Sequence, residues 1–191
     1  MKKIPMVMLM LAGLSSYAVA DWELVNDESS LHYVSIKNTH VAEVNSFETL
    51  SGSITDEGKV ALAINLASVA TGVPVRDERM QKVLFDVAQF AEAKVTGQVD
   101  LTAVSELEVG ATYTDLVSLK LSLHGVEKEI MSGVKVTRLT NDRVLVASLE
   151  PVVLDAKDFK LVEGIEQLRE MANLPNISLA VPVTFSLVFK G

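Results

Sequence analysis

Val117-Ser118-Leu119-Lys120-Leu121-Ser122-Leu123-His124 alternates an apolar with a polar residue at every step. Successive strand side chains point to opposite faces, so this stretch reads as a β-strand with one buried and one wet face. The pattern recurs on either side of it. Val60, Leu62, Ile64 and Leu66 share a face, and the other face carries Ala61, Ala63 and Asn65. Val181, Val183, Phe185, Leu187 and Phe189 alternate with Pro182, Thr184, Ser186 and Val188. Eight strands are predicted, over about 22–37, 46–56, 59–67, 92–101, 112–124, 126–139, 142–154 and 177–190. Turn signals separate most of them, at Asp56-Glu57-Gly58, His124-Gly125 and Thr140-Asn141-Asp142. Short connections favour antiparallel neighbours, and many one-faced strands favour a closed barrel or a sandwich. Proline cannot donate to a ladder, so Pro182 predicts a bulge or an unpaired edge in the last strand.

Two segments break this rhythm. Met80, Val83, Leu84 and Val87 give helical spacing within Val75–Phe90, with Asp77 as the expected N-terminal cap. Leu161, Ile165, Leu168 and Ala172 fall on one face of a second helix over 161–173. It ends at Leu174-Pro175, because the residue before a proline avoids helical geometry. This helix has two readings, a lid over a barrel mouth or a fixed seal at one end of the core.

The first twenty residues carry a different message. Lys2 and Lys3 precede an apolar run from Ile4 to Leu14, followed by the small residues Ala18-Val19-Ala20. This predicts a secretory signal peptide over 1–20, cleaved after Ala20, and one mature domain over 21–191 in the periplasm. The run is shorter than the roughly 20 residues that span a bilayer, and no integral membrane segment is expected after it. Without Lys2 and Lys3, 15 basic residues face 25 acidic ones, a formal net charge of −10. That balance disfavours nucleic acid as a partner. There is no cysteine, hence no disulfide and no lipoprotein anchor. The chain is 49% apolar but only 5% aromatic, so aliphatic side chains carry the interior.

Catalytic signatures are missing. No G-x-S-x-G, H-E-x-x-H or Gly-rich phosphate loop is present. His32, His40 and His124 are the only histidines, and none is spaced from another as metal ligands are. No enzyme activity, metal or cofactor is expected. An outer-membrane barrel would need aromatic girdles, which this chain lacks. Arg76, Arg79 and Lys82 recur every three residues. They read either as a basic cluster for a polar head group or as an exposed helix face with Asp77 and Glu78 as partners.

Several segments, in order, resemble the YceI-like family of lipocalin-like, polyisoprenoid-binding periplasmic proteins. Trp22 to Val34 is similar to its opening strand, and Phe47 to Ile54 to its second. The most specific match is Ala67-Ser68-Val69-Ala70-Thr71-Gly72 followed by Arg76-Asp77-Glu78-Arg79-Met80. Leu84-Phe85-Asp86-Val87-Ala88-Gln89-Phe90 and the hairpin Leu123-His124-Gly125-Val126-Glu127-Lys128 continue it. The chain departs from the pattern where Arg79 replaces a histidine and Phe90-Ala91 a Tyr-Pro. It also has Asn45 where a glycine is common; asparagine tolerates positive φ, so a turn there is expected to survive.

The resemblance implies an all-β fold, an extended eight-stranded antiparallel lipocalin-like barrel with short helices in two connections. It implies a long apolar interior that binds a polyisoprenoid chain, an isoprenoid quinone or a polyprenyl phosphate. The expected ligand-binding set is Phe47, Leu62, Ile64, Arg76, Arg79, Met80, Leu84, Phe85, Leu119, Leu121 and Phe185. Met80, Met131 and Met171 either adapt to a variable tail or serve as ordinary packing. The functional expectation is a carrier that sequesters an isoprenoid lipid, with a homodimer as an implication of the resemblance. The alternative is an interaction module supporting a membrane redox or stress-response system.

Overall fold

The computed structural model describes residues 22–191, and the predicted signal peptide lies outside the described residues. The strands are β1 (Trp22–Leu24), β2 (Ser30–Lys37), β3 (Val41–Phe47), β4 (Leu50–Ile54), β5 (Lys59–Asn65), β6 (Val69–Ala70), β7 (Glu92–Gln98), β8 (Thr112–Leu123), β9 (Val126–Thr140), β10 (Arg143–Ser148), β11 (Val152–Asp155) and β12 (Ala180–Lys190). The helices are α1 (Pro74–Arg79), α2 (Thr102–Ser105) and α3 (Val162–Met171).

These segments form a closed, eight-stranded antiparallel barrel. β1 and β2 are two halves of one strand, as are β3 and β4, β5 and β6, and β10 and β11. Both halves of each lie against the same neighbours: β1 and β2 flank β12 on one side, β10 and β11 on the other. β1 pairs with both β4 and β12, which closes the ring. Closure of the ring pairs most of the strand edges that an open sheet would expose.

Side chains complete the ladder where the strands bend. At the bend between β1 and β2, Leu50 N–H donates to Asn26 Oδ1 (2.7 Å), and Asn26 Nδ2 donates to Glu48 O (3.2 Å). Thr49 N–H donates to Ser68 Oγ, and Val188 N–H to Ser29 Oγ (both 3.0 Å). Between β10 and β11, Ser148 Oγ accepts from Phe185 N–H (3.2 Å). Each hydroxyl or amide replaces a backbone partner lost at the bend, so the wall turns without orphaning backbone groups.

Several boundaries differ from expectation. The predicted strand over 46–56 is the later part of a longer one. It begins at Val41 and pairs Val44 with Val34 and Glu43 with Ser35. Asn45 lies inside β3 and is absent from the positive-φ positions, so no turn exists there. At Pro182 the bulge is absent, since it pairs in register with Val153, but the expected unpaired edge is there, since the ladder to β2 stops at Val183. The helix predicted over 75–90 stops early. α1 passes into a π-helical turn over Met80–Leu84, where Phe85 N–H bonds Met80 O, and Asp86 then takes φ 45°. Val73, not Asp77, holds the N-cap position, and Pro74 supplies the first turn. Asp77 instead accepts from the backbone and hydroxyl of Thr71.

The π-turn and α3 close one end of the barrel. Gly164 of α3 is buried against it, and Leu161 and Ile165 on the same helix are 7% and 6% exposed. The helix thus sits over this end of the core with its apolar face buried. The β8–β9 connection is a two-residue hairpin with His124 at φ 51° and Gly125 at φ 73°, the geometry that matches strand twist.

Candidate functional site

Inward-facing side chains do not fill the barrel. They line a cavity of about 300 Å³ that runs along its length. Alternate residues of β8 trace one wall: Tyr113, Asp115, Val117, Leu119, Leu121 and Leu123. From the opposite wall, Val181, Val183, Phe185, Leu187 and Phe189 of β12 face them. The lining contains no lysine, arginine or histidine, and its two carboxylates are Asp100 and Asp115. An eight-stranded ring is wide enough to hold one ligand when its inward residues are of moderate size. Here most are Val, Leu and Ile.

Nine of the eleven expected binding residues line this cavity: Phe47, Leu62, Ile64, Met80, Leu84, Phe85, Leu119, Leu121 and Phe185. Arg76 and Arg79 do not. The Arg76 guanidinium donates to Glu43 Oε2 (2.7 Å), Thr71 Oγ1 (2.8 Å) and Thr71 O (2.6 Å). Arg79 is exposed, and Lys82 lies 3.8 Å from Glu78 on an exposed helix face. The three basic side chains therefore do not converge on the cavity. Met80 lines it, whereas Met131 and Met171 are exposed on the outside.

The sealed end has a polar layer that sequence reasoning missed. Tyr33 and Asn45 are cross-strand partners on the inner face of β2 and β3. Tyr33 is 8% exposed and Asn45 is 4% exposed. The rings of Tyr33, Phe47 and Phe85 form a chain, with centroids 5.5 and 5.7 Å apart. The Tyr33 hydroxyl has only the Met80 thioether as partner, at 3.8 Å. Burial pushes this phenol well above its ordinary pKa; nearby Arg76 opposes the shift and Asp77 adds to it. It remains a proton donor across the physiological range. Behind this pair, Lys37 (2.9 Å) and Arg76 both bind Glu43, which is held below the usual carboxylate range. The hydrogen bond from Lys37 is the main cause; partial burial opposes it and Arg76 reinforces it.

The other end is looser. β7 pairs with β8 only from Lys94↔Ser122 to Gly97↔Leu119, so residues 112–118 of β8 have no β7 partner. The segment 100–109, including α2, covers this seam. Among the described residues its backbone bonds are local, the furthest reaching from Ala111 N–H to Glu108 O, between anchors at Val99 N–H to Gly58 O and Gly110 N–H to Arg138 O. Leu101, Val104 and Leu107 attach it to the core through apolar contact.

Among the described residues no helix is long and apolar enough to cross a membrane. Nor is any group of three His, Cys, Asp or Glu side chains there placed to hold a metal ion.

Comparison with known proteins agrees with this geometry. A family model described as a YceI-like domain matches residues 22–189. A solved polyisoprenoid-binding domain from Saccharophagus degradans, implicated in plant cell wall breakdown, is 42% identical, with a TM-score of 0.89. That match covers 91% of this chain and 99% of the other. BcnA of Burkholderia cenocepacia shares the fold at 16% identity and a TM-score of 0.66, covering 86% of this chain and 98% of its own. The YceI protein of Campylobacter jejuni does so at 16% identity and 0.59, covering 82% and 90%. No curated protein matches the chain.

Proposed function

Since this chain belongs to the YceI-like family, we propose that it is a periplasmic carrier that holds an isoprenoid lipid inside its barrel and shields it from water. The observation that carries the reading is the hollow, almost wholly apolar interior, lined mostly by Val, Leu and Ile with aromatic rings among them. The 42%-identical Saccharophagus degradans domain, described as polyisoprenoid-binding, supports the ligand class. The energetics favour a tail-dominated site. Burying one methylene is worth roughly 0.8 kcal/mol, so one isoprene unit contributes about 3 kcal/mol or more. Several units approach the practical limit of about 20 kcal/mol even after the cost of ordering a flexible chain is subtracted. The tail sets affinity, and the head sets direction and selectivity.

Native mass spectrometry of the protein recovered from the periplasmic fraction tests this. The expected spectrum shows an adduct with the mass of an isoprenoid lipid, and it reads monomer against homodimer at the same time. Protein that is recovered empty, and that takes up no isoprenoid quinone when offered it, overturns the carrier.

A further inference from the structure

The two ends of the cavity differ in chemistry. At the end that α3 and the π-turn close, Tyr33, Phe47 and Phe85 all line the cavity, and their rings run in a chain with centroids 5.5 and 5.7 Å apart. Tyr33 is 8% exposed, and its hydroxyl has only the Met80 sulfur as partner, at 3.8 Å. Met80 is itself part of the lining. A thioether is a weak acceptor on a flexible chain, so it yields to a better one. Among the described residues no other buried side-chain donor of the lining lacks an oxygen partner: Ser132, 3% exposed, donates to Gly133 O at 3.4 Å. The looser end carries acceptors instead. Asp100 Oδ1 accepts from Thr102 N–H (2.9 Å) and Asp115 Oδ1 from Leu116 N–H (2.8 Å). Bonds from Thr102 hold Asp100 below the usual carboxylate range, so it is charged at neutral pH. The Tyr113 phenol beside them is pushed up, first by desolvation and then by the charges of Asp115 and Asp100.

We infer that an isoprenoid quinone lies in the barrel head-first: its ring rests against Phe47 and Phe85 at the closed end, one ring carbonyl accepts from the Tyr33 hydroxyl in place of the Met80 sulfur, and its tail runs back toward the segment 100–109. This rests on the carrier reading, to which it adds the direction of the ligand and the residue that sets it. A quinone head is flat, uncharged and able only to accept hydrogen bonds. The closed end meets it with ring faces and an underused donor, and aromatic pairs gain beyond the area they bury when offset or tilted. The looser end meets it with two carboxylates, which compete for the same donors. The aliphatic middle of the barrel, Val117 and Leu119 of β8 among it, is left for the tail. A prenyl phosphate finds no counterpart at either end, because no lysine, arginine or histidine lines the cavity. Lys37 and Arg76 are bound to Glu43. The Arg138 guanidinium lies over the Trp22 ring, 5.4 Å from its centroid, and is not part of the lining.

The test labels purified, delipidated protein with an isoprenoid quinone that carries a photoreactive azide on its head ring. The expected adducts fall on Tyr33, Phe47, Met80 or Phe85. Adducts on Trp22, Tyr113 or the segment 100–109 overturn the inference and leave the carrier intact. Titrations then examine Tyr33 itself. Tyr33→Phe should weaken the quinone about fivefold, the size of one hydrogen bond, and leave the bare isoprenoid hydrocarbon of the same length unaffected. A merely structural hydroxyl would weaken both ligands alike. Infrared spectra of the bound quinone should show a carbonyl band lowered by hydrogen bonding, and that band should be lost in Tyr33→Phe. A prenyl phosphate of the same tail should bind about tenfold more weakly than the quinone, since an anion leaving water without a cation is costly. Equal loss for quinone and hydrocarbon, no loss for either, a lowered band that survives the substitution, or a phosphate that binds as well as the quinone each overturn the inference. If neither quinone nor hydrocarbon binds, the carrier reading falls and the inference with it. Should Tyr33→Phe not fold, the azide adducts of the unmodified protein still decide.

Discussion

Gly164 of α3 packs directly on Leu84 of the π-turn: a methyl group at Gly164 would lie 2.9 Å from Leu84 Cα and 2.8 Å from Val83 O. Both neighbours are backbone atoms, which cannot swing aside as a side chain would. The seal at this end is built on a missing side chain. Gly164→Ala should therefore destabilise the protein by about 1–2 kcal/mol, because overpacking outweighs the helix propensity that alanine gains. The urea-unfolding midpoint reads the loss. An unchanged or higher midpoint would mean that α3 is a loosely seated lid.

A hollow core predicts opposite responses of stability and binding. Val117 lines the cavity midway along β8. Val117→Phe should fill part of the void and stabilise the empty protein by about 0.5–2 kcal/mol. It should lower affinity for an isoprenoid quinone at least tenfold. Thermal melts and quinone titration on the same sample check both. A destabilised variant with normal binding would place the tail elsewhere.

The Lys37–Glu43–Arg76 group adds a pH dependence of known sign. Glu43 has a folded pKa below its ordinary value of 4.5. Its contribution is complete above that ordinary value and disappears as pH falls through the lower folded one. The side chain is 33% exposed, so solvent screening limits the effect to about 1 kcal/mol. Glu43→Gln should lower stability at pH 7 by that amount. At a pH below its lowered folded pKa the substitution should make little difference, because the wild-type carboxyl is then protonated as well. Paired denaturation curves at the two pH values show whether the difference closes.

The seam beside β8 predicts where the barrel opens. The segment 100–109 has only local backbone bonds and an apolar attachment through Leu101, Val104 and Leu107. Its amides should exchange with deuterium well before those of β8 and β9, which share a continuous twelve-pair ladder. Lipid binding should slow them. Exchange in 100–109 as slow as in β9 would move the entrance elsewhere.

Most of the barrel was legible because its inner and outer faces differ in chemistry. Each of the eight predicted spans overlaps one of the eight strands of the ring, and every apolar residue named for the site lines the cavity. The interruptions within those strands were not legible, since bends at Asn26, Glu48 and Ser68 depend on cross-strand side-chain bonds. The stretch Val41-Ala42-Glu43-Val44-Asn45 hid its strand character for a related reason. Its inward residues include Glu43 and Asn45, because this end of the barrel is polar inside, while Val44 faces outward and is 70% exposed. The alternation is inverted there, and Tyr33 and Asn45 went unnoticed with it. Arg76 drew attention through its spacing on the helix, but spacing carries no information about Glu43, which reaches it from β3.

Photo-crosslinking with an isoprenoid quinone that carries a photoreactive group on its tail tests the central claim most directly. The account predicts adducts on inward residues of opposite walls, Leu62, Leu119 and Phe185 among them, and competition by unlabelled quinone. Labels confined to outward residues such as Val44, Val153 and Leu116, or labelling that excess unlabelled quinone does not reduce, would contradict it.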